Sequence, residues 1–160
     1  MRDDLWTLVR FLHVLGAALW VGGMIVLGAV AVPAARQAGD REAGRRVITT
    51  AARRFGVVGA VAFALLVASG FSLIHHRGIP LDRLGDSDYG RRILAKMGLL
   101  AAMGVVTLLH ALWQGPRVRR AEEAGDPVAA RRWRLLGAVF DGFLLLAALA
   151  ALWLAVSLVP

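Results

Sequence analysis

Four histidines, His13, His75, His76 and His110, are the side chains of this 160-residue chain best suited to hold a metal ion or pass a proton. His13 sits in "FLHVLGAALW", three residues past Arg10, in a run that then stays apolar as far as Pro33. His75 and His76 close a second apolar run, and His110 lies near the end of a third that also holds Lys96. Asp141 stands inside a fourth. A charge deep in lipid costs about 2.5 to 3.5 kcal/mol on insertion scales, so Asp141 is expected to face protein and to have a partner, with His110 the nearest candidate. Cysteine is absent. Disulfides, thiolate metal sites, iron–sulfur clusters and cysteine nucleophiles are thereby excluded, and metal or redox chemistry falls to His, Met, Lys and carboxylates.

The elements that position these residues are membrane helices. Hydrophobic residues make up 58% of the chain, more than an ordinary soluble domain carries. Four apolar segments each approach the ~20 residues an α-helix needs to cross a ~30 Å hydrocarbon layer. The expectation is an all-α integral membrane protein with a single domain over 1–160, a bundle of four transmembrane helices spanning about 5–32, 55–76, 91–114 and 133–159. "MRDD" is a poor n-region, and the first apolar run exceeds a signal peptide's core, so the first segment is read as a span. Stretches such as "GAALWVGG" and "GAVAFALLVASG" let helix backbones approach closely where lipid supplies no hydrophobic drive. No Walker, GxGxxG or serine-hydrolase constellation is present.

Charge orients the spans. Two connectors, "PAARQAGDREAGRR" with Arg53 and Arg54, and "GPRVRRAEEAGDPVAARRWR", carry twelve of the nineteen basic residues. The N-terminus, the central "HHRGIPLDRLGDSDYGRR" loop and Lys96 just beyond it carry the other seven, together with five aspartates. The positive-inside rule then puts the Arg-rich loops in the cytoplasm and both termini and the central loop outside, in a plasma (inner) membrane. The net charge of +8 is juxtamembrane, suited to anionic headgroups of the bilayer and not to nucleic acid. Both halves read as span, "AGD" connector, paired arginines, span. That pattern is either a duplicated hairpin or two similar connectors drawn from one biased composition, and so short a match favours the second.

Depth sorts the polar groups into two layers. His13 and Lys96 lie about 5 Å below the outer boundary, and His110 and Asp141 roughly 10 Å from the cytoplasmic arginines. Lys96, Met103 and His110 recur every seven residues along one stripe, with Thr107 beside it. His13, Gly16, Ala17, Trp20, Gly23 and Met24 share a face of the first helix. Such a face suits a flat macrocycle, and equally suits ordinary close packing. Lys96 lies near enough to the surface to snorkel, and His75 and His76 beside Arg77 suit an interface as well as a metal. His13, on a face of small residues, has few structural uses, so function is its favoured reading.

These residues carry a resemblance. "LHVLGAALWVGGMIV" followed by "VP", and "DYGRRILAKMGLL", resemble stretches of the CopD (copper-resistance protein D) family. The order of His13, Trp20, Lys96, His110, Arg132, Trp133 and Asp141 is similar to that of the HemJ-like membrane protoporphyrinogen oxidases. The HemJ-like side of the resemblance implies haem b, with His13, Trp20, Arg92, Lys96 and His110 around the cofactor, Lys96 and Asp141 in catalysis, and a quinone or porphyrinogen as redox partner. The favoured reading on this basis is a b-type haem redox protein. In the haem reading His13 is the axial ligand. The CopD side implies the alternative, copper handling, in which His75, His76, Asp82, Asp86 and Asp88 gather the ion at the outer face and the Met103–His110 stripe passes it inward. The candidate metal ligands over both readings are His13, His75, His76 and His110. A homo-oligomer fits either reading.

Overall fold

The computed structural model describes residues 2–78 and 81–157, and these residues are helical apart from short turns. Four helical stretches are long and apolar enough to cross a membrane: Asp3–Gln37, Glu42–His76, Asp88–Glu123 and Pro127–Val156. The all-α fold with four membrane-spanning helices is therefore observed. Leu158 and Val159, the end of the expected fourth span, lie outside the described residues.

The chain divides between Leu81 and Asp82 into two compact units, each a helical hairpin. In the first, α1 (Arg2–Ile25) runs through a π-helical stretch, Val26–Ala31, into α2 (Val32–Gln37), and α3 (Arg41–His76) returns. In the second, a 3₁₀ turn (Leu81–Asp86) leads to α4 (Asp88–Leu109), which runs through a second π stretch, His110–Gln114, into α5 (Gly115–Glu123), and α6 (Pro127–Val156) returns.

Proline accounts for both wide turns. Pro33 and Pro116 stand at the start of α2 and α5. A proline inside a helix has no N–H to give and its ring meets the carbonyl four residues back, and a wider turn relieves that clash. The N–H of Val32 accordingly bonds the Leu27 carbonyl, and that of Gly115 the His110 carbonyl, both five residues back.

The connectors differ from the expected loops. Helix continues through the arginines on both sides, and only residues 38–40 and 124–126 break it. Asp40 caps α3 by accepting from the N–H groups of Glu42 and Ala43, and Asp126 caps α6 by accepting from those of Val128 and Ala129. Glu42 pairs with Arg45 and Arg46 one turn on, which keeps this polar turn helical. At 36 residues, α3 is about 54 Å long and outruns the ~30 Å hydrocarbon layer on its arginine side.

The two hairpins share an order of features that composition does not supply. Each has a π stretch, a proline, an Ala-Gly-Asp cap and a buried small residue four positions past the aspartate, Gly44 or Ala130. Trp20 stands thirteen residues before Pro33 and Met103 thirteen before Pro116, and both are core residues. His13 and Lys96 each stand twenty residues before their proline. These correspondences favour a duplicated hairpin over two chance connectors.

Candidate functional site

In the first hairpin the small-residue face of α1 is occupied by α3. A Cβ on Gly16 would lie 3.0 Å from the Ala62 carbonyl oxygen and 3.1 Å from Leu66 Cγ, tighter than ordinary contact, so glycine eases this approach of the two helices. Trp20 is 5% exposed, tilted against Phe63 with ring centroids 5.2 Å apart, and lies over Gly59. The Phe55 ring fills the space beside Gly23. The face that suggested a flat macrocycle is thus closed within its own hairpin by helix packing.

His13 lies at the polar end of that seam. Its Nδ1 is 2.9 Å from the Oγ of Ser69, and its ring edge passes Gly70, where a Cβ would stand 3.4 Å from Cε1. Ser69 is buried and donates its one hydroxyl hydrogen to the Leu65 carbonyl. The tautomer that satisfies both contacts has His13 Nδ1–H donating to Ser69 Oγ and the ring lone pair on Nε2. Metal-binding imidazoles are characteristically oriented in this way, by donating the other ring N–H to a fixed acceptor. Ser69 is seven residues and about 10 Å from His76 along α3. There the exposed His76 ring stacks on Trp6 at 3.6 Å, beside the exposed His75.

In the second hairpin a separate polar group surrounds the π stretch. His110 opens it, and α6 comes close because Gly137 has no side chain: a Cβ there would lie 2.8 Å from Gln114 Nε2 and 3.5 Å from His110 Cε1. Buried Gln114 donates to the Trp133 carbonyl at 2.6 Å. Phe140 meets the imidazole edge-on with centroids 6.2 Å apart, and Asp141 follows it on α6. Asp141 lies on the surface of its own hairpin. The Thr107 hydroxyl and His110 Nδ1 are buried without a hydrogen-bond partner.

The remaining candidates are dispersed. Arg92 donates from α4 to the Ser157 carbonyl at 2.6 Å, tying α4 to the end of α6. Lys96 is half-buried, with no hydrogen-bond or ion-pair partner among the described residues. Asp88 is paired with Arg91. Among the described residues no group of three or more His, Asp and Glu converges on one metal position.

Ser69, Gly70, Gln114 and Gly137 were not singled out from the sequence. The available signal was depth: Ser69 stands seven residues inside His76 as His13 stands seven inside Trp6. Their pairing across 56 residues is set by the hairpin's register and not by local spacing.

The fold and these groups define a multi-pass helical membrane protein with histidines at two positions within its spans. The family model for copper resistance protein D matches residues 49–157, more than half of the chain, and the chain belongs to that family. The matched stretch begins within α3, so it takes in Ser69, His75, His76, Lys96, His110 and Asp141, while His13 and Trp20 precede it. No match was found among curated proteins or among solved structures. The family supports the copper alternative over the favoured haem b reading, and brings no quinone or porphyrinogen partner with it.

Proposed function

We propose that this chain handles copper in the plasma membrane, receiving the ion on histidines of the first hairpin and passing it into the span. The observation that carries the reading is the Ser69–His13 hydrogen bond, which fixes the imidazole inside a membrane helix with its lone pair on Nε2. Imidazole suits copper, and a site that must release its cargo needs few ligands, since conduction requires binding weak enough to leave. His75 and His76 provide first contact at the end of α3, and His13 lies about 10 Å deeper beside Ser69. Copper is here cargo and not a resident cofactor. Lys96 has no ligand role in this scheme, because an ammonium has no lone pair to offer a metal.

The arginine asymmetry supports an outward-facing His75–His76 end. The test is Cu(I) affinity of the purified protein in lipid nanodiscs, by competition with a chromogenic chelator. Wild type binds, and His13→Ala weakens binding about tenfold or more, the range typical of disturbed metal sites. A cysteine replacing Gly85 is labelled by an impermeant thiol reagent in intact cells. Unchanged affinity in His13→Ala would remove His13 from the path, and protection of the Gly85 position would reverse the orientation.

A further inference from the structure

The arginine-rich end of the second hairpin takes no part in the copper reading, and one of its cations is held firmly in place. Trp113 stands at the edge of the apolar stretch and is 39% exposed, with its ring edge-on to that of Trp133 at a centroid separation of 5.2 Å. The half-buried Arg117 lays its guanidinium over both indoles, 4.4 Å from the Trp113 centroid and 5.4 Å from that of Trp133. Its Nη1 donates to the Trp113 carbonyl at 3.0 Å. Trp133 is anchored in turn, since its carbonyl accepts from buried Gln114. Two rings and a carbonyl thus fix a side chain that ordinarily samples many rotamers. The bond to Trp113 leaves the Nε–Nη2 edge of the guanidinium unused. No carboxylate answers that edge. Arg117, Arg120 and Glu123 make no ion pair among the described residues, Glu122 pairs with Arg134, and Asp126 is engaged in capping α6. Arg120 is exposed and stands one turn on from Arg117 along α5, where two like charges repel unless an anion lies between them.

We propose that Arg117, mounted on Trp113 and Trp133 and joined by Arg120, binds the phosphate of an anionic phospholipid at the arginine-rich membrane boundary. The free guanidinium edge matches two phosphate oxygens, a geometry that an ammonium cannot give. Placement selects a lipid as the source of that phosphate. Tryptophan is the side chain that settles at headgroup level, and Leu109, one turn deeper than Trp113, is also exposed, so an acyl chain has apolar surface to lie on below the phosphate. A soluble anion has no chain to place there. Net charge selects among phospholipids: six arginines stand against three acidic residues between Arg117 and Arg134, which disfavours a headgroup carrying its own cation and favours one that is anionic overall. The assignment needs neither the orientation of the spans nor the copper reading.

Native mass spectrometry of the whole protein released from detergent micelles, titrated with phosphatidylglycerol or with phosphatidylcholine, reads the site directly. Wild type is expected to retain phosphatidylglycerol about tenfold more tightly than phosphatidylcholine, and Arg117→Ala to lose that preference. Arg117→Lys keeps the charge and the fold but not the paired donors, and also binds phosphatidylglycerol more weakly than wild type. Arg119→Ala removes an equal charge from the same helix and changes the affinity by less than about twofold. Equal binding of the two lipids by wild type, or an undiminished preference in Arg117→Ala, would overturn the proposal. Equal losses in Arg117→Ala and Arg119→Ala would overturn it as well, by making the attraction one of net charge alone. So would release of the lipid by a large molar excess of inorganic phosphate or of a polyglutamate peptide, which would make the site one for a free anion or for an acidic protein segment.

Discussion

Ser69 decides what the His13 imidazole can do. A helical serine commonly returns its hydroxyl to the carbonyl four residues back, and Ser69 does so with Leu65. That bond spends the only hydroxyl hydrogen and leaves Oγ as the acceptor for His13 Nδ1–H. Ser69→Ala removes the acceptor, frees the ring to change tautomer and rotamer, and is expected to weaken Cu(I) binding about tenfold with the fold intact. Ser69→Thr, which keeps the hydroxyl, restores it. Equal affinities in wild type and Ser69→Ala, measured by the chelator competition, would make Ser69 a packing residue and no more. His13 itself was legible in the sequence, as an imidazole set among glycine and alanine in an apolar run. Ser69 was not, since its role comes from a partner on another helix.

Two aspartates and two prolines set the shape of the hairpins. Asp40 and Asp126 each satisfy two backbone N–H groups at the head of a long returning helix. Replacing either by Ala is expected to cost about 1 kcal/mol of stability, and by Asn much less, in reversible unfolding of the purified protein by a denaturing detergent. An Asn variant as unstable as the Ala variant would point to charge in place of capping. Gly125, with φ at 68°, takes the left-handed conformation that ends the second connector, a position where any other residue would be strained. "AGD" was visible in both connectors, but its meaning was not, because composition alone produces such matches in an Ala- and Arg-rich chain. The π turns were invisible for a related reason: proline announces a disturbance, and packing decides whether the helix kinks, breaks or widens. Helix through the arginines was equally hidden, since polar turns and polar helix look alike until caps and one-turn ion pairs are placed.

At the scale of the whole chain, the number of spans followed from length and hydropathy, because lipid admits few alternatives to a helix of ~20 apolar residues. The choice of cargo did not. A face of small residues with a histidine at one end serves a macrocycle and a neighbouring helix equally well, and in the first hairpin α3 fills it with Ala62, Leu66, Phe63 and Phe55. Haem b and copper therefore separate on chemistry that can be measured in one sample. Protein purified from cells supplied with both copper and haem precursor, analysed for metal content and for its absorption spectrum in oxidised and reduced forms, tests this most directly. Copper reading predicts that the protein takes up copper and shows no Soret band in either form. A Soret band with about one haem per chain and no bound copper would contradict it.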